Sequence, residues 1–285
     1  MNVIGIDFTS SPSRRKPLTC MHCTLDGNVL RAHSLEEWPD FRLFDDALRK
    51  PGPWIAGIDF PFGQSRTFIR NIGWPDDWAG YVAHAGSLGR QGFRDALDAY
   101  RLHRPFGDKE HRRKTDIAAS SISPQKLYGV PVGLMFFEGA PRLVKSGVVI
   151  PWLQSGDPKR IVVEAYPGVL ARQLVGRAGY KNDTARKQTE MQHQTRRSML
   201  DHILNGKLEA RYGLLVEASR NLADDPSGDQ LDALLCAIQA AWAWTMGAHC
   251  YGAPRDADSM EGWIADPTLS YDVLPNDKVA SLVGS

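Results

Sequence analysis

Three apolar segments of the chain each end in an acidic residue. The sequence Gly-Ile-Asp-Phe occurs at residues 5–8 and again at 57–60, and Glu164 closes a third apolar run. Ligand sites in open α/β sheets lie at the carboxyl ends of the strands. We therefore predict that Asp7, Asp59 and Glu164 converge on one acidic site.

Two further acids, Asp229 and Asp232, lie three residues apart at the start of a segment with helical periodicity, so they share one helix face. Clustered carboxylates repel one another unless a cation neutralises them, and Mg²⁺ or Mn²⁺ prefers oxygen ligands of this kind. Two such ions could activate a water and stabilise the leaving oxygen of a phosphodiester. A carboxylate pair that serves as general acid and base is the metal-free alternative.

Each acid also has a structural interpretation. An aspartate at a strand end is commonly a turn residue, and one in the first turn of a helix is favoured by the helix dipole. Buried charges need partners or metal ions, so three acidic strand ends in one chain favour a functional site.

The segments that carry these acids predict an α/β fold. The predicted strands are 2–8, 18–25, 29–33, 54–59 and 160–164. The first three should form an antiparallel meander, because Asp26-Gly27-Asn28 suits a tight turn. Helices are predicted at 41–49, 78–84, 90–102, from about 168 through 175, at 184–204 and 207–222, and from 229 onward.

The last of these helices should pack on the sheet, because Leu231, Leu234 and Ile238 recur on one face. Frequent Gly, Pro and Trp residues between 61 and 159 indicate a large insertion after the fourth strand. We predict one domain over residues 1–250 that includes this insertion, followed by a C-terminal extension at 251–285.

Composition bears on whether the chain binds nucleic acid and on where in the cell it is located. The formal net charge is +1, so affinity for nucleic acid must come from local patches, such as the basic stretch at 101–114. Four scattered cysteines suit a reducing compartment. The N-terminus shows no secretory signal, and no apolar run reaches the roughly 18 residues of a membrane span. These features predict a cytoplasmic protein.

Six short motifs occur in the chain as a set. They are Gly-Ile-Asp-Phe-Thr-Ser at 5–10, Gly-Ile-Asp-Phe-Pro at 57–61, Arg-Lys-Thr-Asp at 113–116, Glu-Ala-Tyr-Pro at 164–167, Tyr-Lys at 180–181 and Gly-Asp-Gln-Leu-Asp-Ala at 228–233. Together they resemble the domain-of-unknown-function 429 family of predicted nucleases, over about residues 1–247. The order of elements resembles the ribonuclease-H-like superfamily, particularly its Holliday-junction-resolvase branch.

The resemblance implies a mixed sheet, in which a three-stranded antiparallel meander and parallel strands are flanked by helices. It also implies a metal-dependent hydrolase that uses Mg²⁺ or Mn²⁺. The metal ligands in that branch correspond here to Asp7, Asp59, Asp229 and Asp232, and Glu164 is a further predicted catalytic acid. Predicted substrate-binding residues within the motifs are Thr9, Ser10, Arg113, Lys114, Asp116 and Lys181.

The leading hypothesis is therefore a two-metal nuclease that acts on DNA or RNA. A second is an actin-like phosphotransferase or ATPase, in which the residues after Asp7 contact nucleotide phosphates. A third is a module that binds a metal or nucleic acid without chemistry. The sequence does not indicate the oligomeric state.

Overall fold

The structure is a computed structural model that describes residues 1–182 and 184–269. It has an α/β architecture with one seven-stranded mixed sheet flanked by helices. The strands are β1 Asn2–Asp7, β2 Leu18–Asp26, β3 Val29–Trp38, β4 Trp54–Ile58, β5 Val148–Val149, β6 Asp157–Glu164 and β7 Leu215–Glu217.

The sheet has the order β5-β6-β4-β1-β2-β3-β7. The pairs β1–β2 and β2–β3 are antiparallel, which confirms the predicted meander. β4 runs parallel to β1, and β6 runs parallel to β4. The carboxyl ends of β1, β4 and β6 therefore meet at the same edge of the sheet.

The helices cover both faces of this sheet. They are α1 Phe41–Arg49, α2 Arg66–Ile72, α3 Trp78–Ser87, α4 Gly89–Leu102, α5 Lys114–Ala118, α6 Val132–Ser146, α7 Pro167–Val175, α8 Glu190–Leu204, α9 Glu209–Tyr212 and α10 Asp229–Thr245. Short 3₁₀ helices occupy Ala185–Lys187, Arg220–Asp224 and Gly247–Gly252.

Two hydrophobic clusters lie on opposite faces of the sheet because alternate strand residues point to opposite sides. Val3 and Ile55 pack with α7, α8 and α10 on one face. Ile6 and Ile58 pack with α1, α3 and α6 on the other. The central helix α10 is buried over most of its length, and it packs across β1, β2 and β4 as its apolar face predicts.

The segment at 61–159 contains more regular structure than the sequence predicts. Two helices are predicted there, whereas the structure has five, α2 to α6. α6 is hard to predict because Gly139 and Pro141 lie inside it, and both residue types disfavour helices. Gly139 is required by packing, since a Cβ atom there would lie 2.4 Å from the ring of Phe60.

The predicted helix at 207–222 is wrong. Gly213 adopts a left-handed conformation, φ 66°, and ends α9 after four residues. The chain then forms β7, which extends the sheet beside β3. The apolar pair Trp263-Ile264 suggests a further short strand in the sequence, but the structure has only a single bridge there, between Glu164 and Ile264.

Within the described residues, no helix combines the length and apolar character needed to cross a bilayer. The predicted C-terminal extension, 251–285, lies partly outside the described residues, which end at Leu269.

Candidate functional site

Asp7 and Asp59 are neighbours because their strands are parallel and in register. Ile6 pairs with Ile58, and the backbone N–H of Asp59 donates to the carbonyl oxygen of Ile6 at 3.0 Å. The residue after each isoleucine is the aspartate, so both aspartates point toward the face that α10 covers. The two Gly-Ile-Asp-Phe segments thus bring two carboxylates to one position.

The glycines of these segments allow α10 to approach the sheet closely. A Cβ atom at Gly5 would lie 1.9 Å from the carbonyl oxygen of Ala233, and one at Gly57 would lie 2.3 Å from that of Cys236. A side chain at either position would push the helix away from the strands. Each glycine precedes its aspartate by two residues, on the same face, and so brings the start of α10 close to both acids.

The first turn of α10 carries Asp229 and Asp232 to the same place. Its N-cap is Gly228 in a left-handed conformation, φ 77°. Ser227 and Gln230 lie three residues apart, a spacing that predicts a capping box, but that capping box does not form. The carboxylate of Asp225 instead accepts hydrogen bonds from the backbone N–H groups of Ser227 and Gln230, at 2.9 and 3.0 Å.

An ammonium group lies among these four carboxylates. Lys181 contacts Asp232 Oδ2 through its Nζ, and Tyr180 donates to Asp232 Oδ1 at 2.6 Å. Their backbone is anchored by α8, where Arg196 donates to the carbonyl oxygen of Tyr180 at 2.8 Å and Gln192 donates to that of Lys181 at 3.1 Å. The lysine is therefore fixed in position.

Burial and mutual repulsion act together on the acids. Burial, followed by the charge of Asp232, raises the pKa of Asp59 from 3.8 to about 7. Burial also raises the pKa of Asp7 well above its usual range, and the negative charges of the other three aspartates add to this rise. The pKa of Asp229 is raised by burial as well. Burial acts to lower the pKa of Lys181, but Asp232, Tyr180 and Asp7 together outweigh it, so the pKa is raised and the ammonium stays charged.

Asp7 and Asp59 lack direct partners. Asp7 is only 8% exposed, yet neither carboxylate forms a hydrogen bond or ion pair with any residue that the structure describes. Buried carboxylates are normally hydrogen-bonded or bound to a cation. The Asp229 carboxylate likewise forms no hydrogen bond or ion pair with a described residue, so three of the four aspartates lack a direct partner there.

The donor chemistry of the four aspartates suits a hard cation, but their arrangement is not that of a formed metal centre. Among the described residues, no group of three or more His, Cys, Asp or Glu side chains has the geometry to hold a metal ion. Asp232 has both oxygens engaged, by Tyr180 and Lys181. Cation binding by all four acids would require the ammonium to leave Asp232.

Glu164 belongs to a different group of charges. It pairs with Ile58, one residue before Asp59, so its side chain points to the opposite face of the sheet. There the Arg113 guanidinium donates to both of its oxygens, at 2.6 and 2.7 Å, and to both oxygens of Asp116, at 2.8 and 2.9 Å. The structure thus separates Glu164, Arg113 and Asp116 from the four aspartates.

The remaining predicted substrate-binding residues are Thr9, Ser10, Lys114 and Lys181, and they do not form one group. Thr9 and Ser10 follow β1 directly, and the carbonyl oxygen of Ser10 accepts a hydrogen bond from Arg90 at 3.0 Å. Lys114 is exposed and lies 3.6 Å from Asp256. Of the predicted substrate-binding cations, only Lys181 contacts the four aspartates within the described part of the chain.

Sequence reasoning missed Tyr180, which hydrogen-bonds Asp232, and Arg196, which holds the backbone that carries Tyr180 and Lys181. Tyr180 had a signal, since it lies beside Lys181 in a family motif. Arg196 had none, because its partner lies across a loop and it looks like a charged helix residue.

The fold and the site define an α/β protein with an acidic group at the carboxyl ends of two adjacent parallel strands. A family model described as "Protein of unknown function (DUF429)" matches residues 5–257, and the chain belongs to this family. No curated protein and no solved structure matches it. The family description names no activity.

Proposed function

We propose that the chain is a nuclease that hydrolyses phosphodiester bonds with Mg²⁺ or Mn²⁺ as its cofactor. The observation that carries the proposal is the nearly buried carboxylate of Asp7, which has no direct partner among the described residues and lies among three further aspartates. Such a group is stabilised by a cation, and a phosphodiester anion approaches it only when a cation offsets the repulsion.

The chemistry of a bound divalent ion would be to activate a water and to stabilise the leaving oxygen. Asp7, Asp59, Asp229 and Asp232 are the residues that would hold it. Lys181 supplies positive charge that can stabilise the anionic transition state once it leaves Asp232.

A ribonuclease-H-like fold is part of the same proposal. It is supported by the antiparallel β1–β2–β3 meander, by the parallel strands β4 and β6 on the other side of β1, and by α10 across the sheet with two aspartates in its first turn. Glu164 has no direct role in this proposal, because Arg113 engages both of its oxygens.

A cleavage assay with a matched control tests the proposal. Purified protein is incubated with Mn²⁺ and with single-stranded, duplex and branched DNA or RNA. We expect cleavage by the wild type and by Asp46→Asn, an exposed aspartate on α1, and a loss of at least about a hundredfold in Asp7→Asn. Undetectable cleavage by all three proteins, or equal cleavage by all three, contradicts the proposal.

Calorimetry separates the nuclease from a module that binds without chemistry. Saturable Mn²⁺ or nucleic-acid binding that is weakened by Asp7→Asn, with no cleavage under any condition, would select the binding module. Binding together with cleavage supports the nuclease.

A further inference from the structure

A cavity opens directly beside Asp59, on the side of the sheet away from α10. Its volume is about 250 Å³, which leaves room for a ring-sized group and not only for a single water. The lining is mostly apolar and comes from the segments after β4 and α5, from α6 and from the end of β6. The apolar lining includes Phe60, Ile122, Val130, Val132, Met135 and Tyr166.

The polar groups in this cavity leave no free charge for a phosphate. All five N–H donors of Arg113 are used, four by Asp116 and Glu164 and one by the carbonyl oxygen of Glu261. Ser121 also donates to Asp116, at 2.8 Å. Two carboxylates around one guanidinium repel an anion, so the group that enters must be uncharged and largely apolar.

The rim of the cavity is apolar as well. Ile122 is 44% exposed and Val130 is 52% exposed, although both line the cavity. Apolar side chains around a concave site next to chemically active groups are typical of ligand pockets. Asp59 lies at the boundary, since it lines this cavity and also belongs to the four aspartates on the other side.

From this juxtaposition we infer that the cavity binds the nucleobase of the nucleotide whose phosphate lies at the aspartates. The inference rests on the proposed function. A nucleotide joins an uncharged planar base to an anionic phosphate. The site likewise joins an apolar cavity, which suits the base, to the four aspartates, whose bound cation would suit the phosphate. A base can enter such a cavity only when it is out of the duplex stack, so the substrate class is single-stranded or otherwise unpaired nucleic acid.

Calorimetry on the full chain with Mn²⁺ tests the inference through two probes that share a phosphate. Adenosine 5′-monophosphate carries a base, whereas ribose 5-phosphate does not. We expect the first to bind at least about tenfold more tightly, because contact with one base strengthens binding by roughly ten- to a hundredfold. Equal affinities for the two probes overturn the inference.

Two exposed isoleucines give a matched pair of variants. Ile122→Asp places a charge in the cavity and should remove the preference for the base, while Ile117→Asp changes a residue that is 59% exposed and does not line the cavity. Equal loss in both variants overturns the inference.

The two proposals fail in different ways. Base-dependent binding without any cleavage leaves the cavity assignment standing and removes the nuclease. Cleavage of substrates with equal rates whether or not the base next to the scissile phosphate is present leaves the nuclease standing and removes the base pocket.

Discussion

The two faces of the sheet hold two groups of buried charges that differ in how completely they are paired. On one face Arg113 lies between Asp116 and Glu164, and every N–H of its guanidinium has an acceptor. On the other face four aspartates lie around the ammonium of Lys181, and three of them, Asp7, Asp59 and Asp229, have no direct side-chain partner among the described residues.

This difference separates a structural group from a candidate active site. A buried charge network whose hydrogen bonds are all made holds segments of the fold together, and here it links residues 113–116 to β6. A group whose carboxylates repel one another is kept at a cost in stability, which is typical of functional sites. Both the paired group around Arg113 and the group of four aspartates contain an acid at a strand end. Acidic strand ends in the sequence therefore do not distinguish a structural group from a candidate active site.

The largest effect is expected from breaking the paired group. Arg113→Met leaves the carboxylates of Asp116 and Glu164 buried without their partner, and should lower the free energy of unfolding by about 3–5 kcal/mol. Urea denaturation measures this change. Arg112→Met, at an exposed neighbouring position, is the control and should change stability by less than about 0.5 kcal/mol. Similar small losses in both variants would show that the network is not structural.

A smaller effect is expected from removing the ammonium on the other face. Lys181→Met should destabilise the metal-free protein by about 2 kcal/mol, because Asp232 is almost fully buried and loses its charge partner. Added Mn²⁺ should then raise the melting temperature of this variant more than that of the wild type, since the cation takes the place of the ammonium. Lys187→Met, an exposed lysine, controls for loss of charge. An identical Mn²⁺ response in all three proteins would contradict the account.

An effect of similar size concerns the dependence of stability on pH. The pKa of Asp59 is about 7 in the folded protein and 3.8 as the ordinary value, so the folded state binds more protons between these limits. Stability from this group is therefore fully present below about pH 4 and is lost as the pH rises through 7. Asp59→Asn should remove the loss and stabilise the chain at pH 8 by on the order of 2 kcal/mol.

Denaturation curves between pH 5 and 8 measure that slope. Asp46→Asn should keep the wild-type slope, because Asp46 is exposed. A wild-type slope in Asp59→Asn would show that Asp59 is not the group that titrates.

The sequence predicts the central part of the fold because each element there has a local signal. The meander, α1, β4 and α10 follow from apolar periodicity and turn residues, and the convergence of Asp7, Asp59, Asp229 and Asp232 follows from where those elements end. The glycines two residues before each strand-end aspartate are a further signal, since they mark where α10 approaches the sheet.

The rest depends on contacts between distant segments. Glu164 resembles Asp59 in sequence, but its partner Arg113 lies 51 residues away, so its pairing has no local sign. Lys181 and Asp232 are likewise separated by 51 residues along the chain. α6 and β7 were missed because tertiary packing overrides the local preferences of Gly139, Pro141 and the residues after Gly213.

The most direct test of the difference between the two faces is an anomalous difference map from crystals soaked in Mn²⁺. We expect a peak among Asp7, Asp59 and Asp232, with the Lys181 ammonium displaced from Asp232 and the contacts of Arg113 unchanged. A map with no peak among the aspartates and with Lys181 still bound to Asp232 would contradict this expectation.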